Sequence, residues 1–202
     1  MDVHLAETVT GYQALVAALE SWGIALCAGV TGGGTIRFLE HLPPLCPGED
    51  ATAGEPGGIK FLTLGEYAAG FVPLGSYLAT GRIAAGIATT GAATKLLGCG
   101  LSDAKLHDIP AVYIVAASPA ETEGLSPLQD TSPLGSNMLA QLRAELPDGV
   151  FVLDHAATLR QRLRQAEDRL RRCQPVVLVL DHGALQAEMA PHRAAPEAAL
   201  AL

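Results

Sequence analysis

Apolar residues along the chain recur with two alternating periods. Tyr12, Leu15, Val16, Leu19 and Trp22 follow the i, i+3, i+4 spacing of a helix, with Thr10 as its cap and Gly23 as its stop. The continuous apolar run 24–30 is short enough for a buried strand, and it empties into Thr31-Gly32-Gly33-Gly34-Thr35 before a short helix over 36–42. The same rhythm then repeats. Strands are predicted at 59–64, 83–90, 111–117, 150–153 and 176–180, with helices at 66–80, 91–106, 134–146 and 156–172 between them. Pro73 marks a kink in the second long helix, and Gly81 closes it. The Pro-, Gly- and acid-rich segment 43–58 and the Pro-rich segment 118–133 read as loops. Six apolar strands separated by helices predict an α/β fold: a six-stranded parallel sheet covered on both faces, in three layers. Residues 1–186 are expected to form a single domain, and 187–202, rich in Ala and Pro, a flexible tail.

Composition narrows the classes. The chain has 202 residues, 49% hydrophobic and 17% charged, and a mean hydropathy of +0.28. No apolar stretch reaches the about 18 residues of a membrane span, so the apolar surplus points to surface buried against another chain. A net charge of −8 argues against nucleic acid as a partner, because a binder needs a basic face to collect phosphates. The basic run Arg160, Arg162, Arg164, Arg169, Arg171 and Arg172, interleaved with Glu167 and Asp168, reads as a solvated helix face. Cys27, Cys46, Cys99 and Cys173 are widely spaced, with neither a disulfide framework nor zinc-ligand spacing, and the N-terminus lacks a basic and apolar leader. A reduced, cytoplasmic protein is expected.

In a parallel sheet of this kind ligands sit beyond the carboxyl ends of the strands, which selects 31–35, 65–67, 89–94 and 118–133. Gly32-Gly33-Gly34 lacks both the G-x-G-x-x-G spacing of a dinucleotide fold and the Lys-Ser or Lys-Thr of a P-loop. It is either a tight turn or a place where a flat ligand approaches bare backbone. Glu66 opens a helix, where a carboxylate is favoured electrostatically whatever its function. Thr89, Thr90 and Gly91 end a strand; Thr90 is a candidate cap, and the small residues leave room for a ring system. Ser102, Asp103, His107 and Asp108 lack a G-x-S-x-G elbow, and His155 and His182 stand alone without ligand spacing.

Taken together, these segments resemble the pyrimidine-binding domain of the thiamine diphosphate enzymes related to acetolactate synthase, benzoylformate decarboxylase and sulfopyruvate decarboxylase. The resemblance runs from about residue 8 to 185. It rests on Gly65-Glu66-Tyr67-Ala68-Ala69-Gly70 followed by Ala79-Thr80-Gly81, and on Thr90-Gly91-Ala92-Ala93, which is similar to the family's Ser-Gly-Pro-Gly turn. Gly100-Leu101-Ser102-Asp103-Ala104, Asp108-Ile109-Pro110-Ala111-Val112 and Gly29-Val30-Thr31-Gly32 follow the family pattern in the same order and spacing.

The resemblance implies that Glu66 is catalytic, sharing a proton with ring nitrogen N1′ of the cofactor's aminopyrimidine and so priming the thiazolium carbon for proton loss. It implies thiamine diphosphate bound by Val30, Thr31, Gly32, Glu66, Thr90 and Gly91, with Gly33 and Thr89 facing the substrate, a 2-oxo acid. It implies no metal ligand in this chain. The family's Gly-Asp-Gly motif is missing, since Asp-Gly occurs only as Asp148-Gly149 running into a strand. Mg²⁺ and the diphosphate are therefore expected on a separately encoded diphosphate-binding subunit, two of each chain assembling around a two-fold axis. The implied activity is decarboxylation, or carboligation of the acyl carbanion equivalent. Thr31, Ala92 and Ala93 depart from the pattern, and they support the alternative of a non-catalytic scaffold subunit.

Overall fold

A computed structural model describes residues 8–49, 58–125 and 127–189. Its centre is a six-stranded, all-parallel sheet built from β2 (Leu26–Gly29), β3 (Lys60–Thr63), β4 (Ala85–Ala88), β5 (Val112–Ala116), β6 (Val150–Leu153) and β7 (Val176–Leu180), in the order β3-β2-β4-β5-β7-β6. The three-layer α/β expectation is therefore met. Residues along β5 and β7 alternate between the two faces, as strand geometry requires. Val112, Ile114, Val176, Leu178 and Leu180 join one core, under α1 (Gly11–Ser21), α2 (Ile36–Leu39) and α6 (Ala156–Leu170). Tyr113, Val115, Val177 and Val179 join the other, under α3 (Glu66–Thr80), α4 (Ala92–Leu106) and α5 (Met138–Glu145).

Local chemistry sets the helix ends. Thr10 and Gln13 form a reciprocal capping box at the start of α1, and Gly23 turns left-handed (φ 77°) beyond its end. Gly81 ends α3 in the left-handed region and donates its N–H to the Tyr77 carbonyl. α3 runs through Pro73 without interruption. α6 buries Leu159, Leu163, Ala166 and Leu170 as one stripe and leaves Arg162 and Arg164 exposed.

Three expectations need correction. The helix predicted from 134 begins only at Met138, because Asp130 Oδ1 accepts from the Ser132 N–H and Asn137 turns left-handed (φ 48°), which diverts the chain into turns first. Residues 43–45 are not loose loop: they run beside the outer edge of β3, with Phe61 N–H donating to the Pro43 carbonyl and Leu45 N–H to the Phe61 carbonyl. Ala187, Glu188 and Met189, assigned to the tail, are ordered instead. Glu188–Met189 form β8, antiparallel to β1 (Val9–Thr10), because Met189 is buried against the core while the ladder occupies its backbone. Residues 190–202 and the loop segment 50–57 lie outside the described residues. All four cysteines are free, Cys27 alone among them buried. Among the described residues no helix is long and apolar enough to cross a membrane.

The tightest approach in the fold is between α3 and α4. A Cβ on Gly100 would lie 1.8 Å from the Gly70 carbonyl oxygen, and one on Gly70 would lie 2.6 Å from that of Leu97. Gly98 on the same helix meets nothing within 4 Å. Gly100→Ala is thus expected to destabilise by about 2–3 kcal/mol through overpacking. Gly98→Ala gains about 0.5–1 kcal/mol from reduced backbone entropy. Urea unfolding of the two variants checks both signs.

Burial also sets an alkaline limit. The Cys27 thiol is pushed up from 9.0 to about 12 by desolvation, and Tyr12 from 10.0 to about 12, chiefly by the same cause. Both groups hold their protons more tightly folded than unfolded, so their stabilisation is complete below pH 9 and is lost as pH rises through 9 to 12. Denaturant midpoints are expected to be level from pH 7 to 8.5 and to fall steadily above that.

Candidate functional site

The strand order creates one topological switch. From β2 the chain passes to β3 on one side and then returns to β4 on the other, so the connections after β2 and β4 leave in opposite directions. A crevice at the carboxyl ends of these two strands is the preferred ligand position in open α/β sheets. Gly29 pairs with Ile87, and a side chain at 29 would strike the Ile87 carbonyl oxygen at 2.2 Å, so these strands meet closely at that point.

The segment after β2 is a tight turn. The Gly32 carbonyl accepts from the N–H groups of Thr35 and Ile36 (2.9 and 3.0 Å) and from the buried Thr35 hydroxyl (3.2 Å). Two of the three glycines are demanded by packing against the neighbouring strand ends. A Cβ on Gly32 would lie 2.2 Å from Thr89 Cγ2, and one on Gly34 would lie 2.8 Å from Ala116 Cβ. Gly33 meets nothing within 4 Å and is exposed, with Thr31 exposed and Val30 half-buried beside it. Turn and bare backbone, posed as alternatives from sequence, therefore coexist: the outer glycines make the turn and the middle one presents unobstructed main chain.

Thr89, Thr90 and Gly91 lie directly across from that turn. Thr90 does not cap α4; the cap position is held by Gly91 at φ 70°, ψ −128°, a conformation open almost only to glycine. The Thr90 hydroxyl instead donates to Gln129 Oε1 at 3.3 Å. Gln129 sits over Gly91, where a Cβ would come within 2.7 Å of the glutamine's own Cβ. Gln129 escaped detection from sequence because a lone amide in a long Pro-rich loop carries neither period nor motif. Only the closure of that loop brings it here. The loop is clasped at its base by Ser118 and Thr131, whose hydroxyls are 2.7 Å apart and each of which also accepts the other residue's backbone N–H (2.8 and 3.0 Å).

Glu66 stands on the other side of β2, at the first turn of α3 behind Gly65. Leu64 N–H donates to the Gly29 carbonyl, which fastens this connection to the end of β2. The Glu66 side chain is half-buried and makes no hydrogen bond or ion pair with any described residue. Helix N-termini favour a carboxylate, yet neither a cap nor a salt bridge engages this one. The neighbouring Tyr67 is 58% exposed and packs edge-on against Phe71. A carboxyl left unengaged at a helix start is free to share a proton with a basic ring nitrogen.

The other polar residues lie apart. Asp103 and His107 pair across one turn of α4 at 3.6 Å, near the helix's carboxyl end and so toward the amino ends of the strands. His155 precedes α6 without a capping bond. His182 Nδ1 hydrogen-bonds the buried Tyr12 hydroxyl. Among the described residues no group of three His, Cys, Asp or Glu side chains is placed to hold a metal ion. A cleft of about 270 Å³ has Gly91, Thr94 and Met138 in its walls but not Glu66.

The geometry separates two glycines of the crevice. Gly91→Ala is expected to cost about 1–3 kcal/mol because its backbone conformation excludes a side chain. Gly33→Ala, with open space and an ordinary φ, should stay within about 0.5 kcal/mol of the parent. Thermal denaturation of both variants is the check.

Residues 9–138 match the family described as thiamine pyrophosphate enzyme, N-terminal TPP binding domain. The matched span contains β2, β3, β4 and β5, the glycine turn, Glu66 and Thr89–Gly91. The chain is also similar to the acetolactate synthase large subunit of Parasynechococcus marenigrum (strain WH8102), with 25% identity over 136 residues, 67% of this chain and 21% of that protein. It therefore spans about a fifth of the length of the curated relative it matches. With more than half its length matched, and with the fold and crevice described above, the chain belongs to the family of N-terminal TPP-binding domains of thiamine pyrophosphate enzymes.

Proposed function

We propose that this chain is the pyrimidine-binding subunit of a split thiamine diphosphate enzyme that acts on a 2-oxo acid. The observation that carries this reading is the Glu66 carboxyl, half-buried and without a partner among the described residues, at the first turn of α3 inside the family-matched span. Glu66 would hold a proton at ring nitrogen N1′ of the aminopyrimidine, and Val30, Thr31, Gly32, Thr90 and Gly91 would be the residues that hold the ring. Gly33 and Thr89 border the space for the substrate, where bare backbone leaves room for the group carried by the 2-oxo acid. When bound, the cofactor supplies a nucleophilic carbon and an electron sink for cleaving the bond beside a carbonyl. The residues of this chain would orient the ring and share the proton, and the reacting carbons would be the cofactor's.

The diphosphate and its Mg²⁺ belong, in this proposal, to a separately encoded subunit, two of each chain forming the assembly. One feature supports a partner over this face. Large apolar side chains stand exposed on the segments bordering the crevice: Ile36, Tyr67, Leu125, Leu128 and Leu134, with Leu128 at 93%. Solvated leucines in such number mark a surface that another protein covers. Decarboxylation and carboligation differ only in what receives the acyl carbanion equivalent, and both fit the proposed site. Thr31, Ala92 and Ala93, where the family pattern has other residues, favour the rival reading of a scaffold subunit that assembles without turnover.

Calorimetry with thiamine diphosphate and Mg²⁺, on the chain alone and after co-expression with a diphosphate-binding subunit, separates these readings. The enzyme requires weak or no binding alone, tight binding by the pair, and CO₂ release from a panel of 2-oxo acids. Glu66→Gln in the pair should keep assembly and lower turnover by about 100-fold or more, the usual weight of a positioned acid–base group. Near-parent turnover in that variant removes Glu66 from the mechanism, and a stable pair that binds no cofactor leaves the scaffold.

A further inference from the structure

At the opposite edge of the sheet, around edge strand β6, the structure carries a second polar cleft of about 440 Å³. Its walls bring together side chains from both faces of the sheet. Arg143 comes from the end of α5, which covers one face. Arg162, Arg169 and Arg172 come from α6 and the turn after it, on the other. Asp148 and Asp168 are the acidic residues of the same cleft, so guanidinium groups outnumber carboxylates two to one in a chain whose net charge is −8.

None of these four guanidinium groups makes a hydrogen bond or ion pair among the described residues, whereas that of Arg171, between them in sequence, is bound by Glu167 at 2.6 Å. Arg169 is the most telling. Its Nε is buried and has no acceptor, and it is held against the backbone at Gly149, where a Cβ would crowd it at 3.1 Å. A buried guanidinium donor without a partner carries a desolvation penalty that a solvated helix face does not impose. The expectation of a solvated arginine run therefore holds for Arg162, Arg164, Arg171 and Arg172, which are exposed, but not for Arg169, which is half-buried.

β6 adds to the case. It pairs with β7 on one side only among the described residues, and Val150 and Phe151 at its start line the cleft. Planar guanidinium forks and exposed N–H groups at a sheet edge are both suited to phosphate oxygens. Four forks spread across the width of two helices exceed what a single anionic group can engage.

We propose that this cleft binds a small oligoanion, a molecule carrying two or more linked phosphate groups, with Arg143 on one wall and Arg162, Arg169 and Arg172 on the other. The site is independent of the thiamine crevice, since it lies at the amino ends of the strands and shares no residue with it.

The test uses pyrophosphate as the probe, titrated calorimetrically into the full chain at constant ionic strength, with sulfate and chloride as comparisons. Saturable binding is expected, at least tenfold tighter for pyrophosphate than for sulfate. It should weaken at least tenfold in Arg162→Gln/Arg172→Gln and persist in Arg164→Gln, which lines a different groove against α1. Arg143→Gln, on the opposite wall, is expected to weaken it severalfold, which guards against a folding defect confined to α6. Heat indistinguishable from chloride, equal affinity for sulfate, or unchanged binding in both cleft variants overturns the proposal.

Discussion

Everything at the crevice depends on how closely α3 and α4 can approach each other over β2 and β4. Gly70 and Gly100 bring the two helices into backbone contact, and Gly86 lets the sheet rise to meet the Ala69 carbonyl, 2.9 Å from where its Cβ would be. Interiors tolerate such contact only where both partners lack side chains, because packing at this density leaves no slack for a methyl group. The consequence is positional. Both helices start at the carboxyl end of the sheet, so fixing their spacing fixes the distance between Glu66, which opens α3, and Gly91, which precedes α4. The Tyr113 hydroxyl reinforces the arrangement by donating to the Gly70 carbonyl from below at 3.2 Å. Burial raises the pKa of that phenol further, which keeps it a donor.

The same economy of side chains appears in the loops. Gly32 and Gly34 are small because Thr89 and Ala116 already occupy the space a Cβ would need, while Gly33 is small without any such neighbour. A glycine required by packing says nothing about ligands. A glycine with empty space and an ordinary backbone conformation gains nothing for the fold, and its entropic cost calls for another reason. Room for a ligand beside main chain is such a reason.

Much of this architecture was legible in the sequence. Strands 150–153 and 176–180 and helix 66–80 fall where the hydrophobic period puts them, because each is bounded by a residue that acts locally: Gly81, Pro147 and Gly149, Pro175. The place of Glu66 at the first turn of that helix was legible too. What escaped were features made by distant pieces of chain. β8 is a strand only because β1 lies beside it, 180 residues away in register. Gln129 reaches Thr90 only because Ser118 and Thr131 close the loop that carries it. The start of α5 moved because Asp130 captures a backbone N–H before the helix can form. In each case the deciding contact is non-local or competes with a periodic signal, and neither kind is written into a window of neighbouring residues.

The arginine run shows the same limit from the other side. Sequence places six arginines on or just after one helix but cannot say which of them find an acceptor. Helical geometry sorts them: Arg171 stands one turn from Glu167 and is satisfied, while Arg162, Arg169 and Arg172 turn toward β6. Charge at the edge of a sheet has a second effect. An open edge such as that of β6 is a template for pairing with another chain, and arginines around it oppose that pairing by keeping the flank hydrated. At the far edge the same problem is met differently, with residues 43–45 laid along β3. The two edges are thus closed to further strands by different means, one by backbone and one by charge. The carboxyl ends of the strands carry exposed apolar side chains of their own, Ile36, Tyr67 and Leu134 among them.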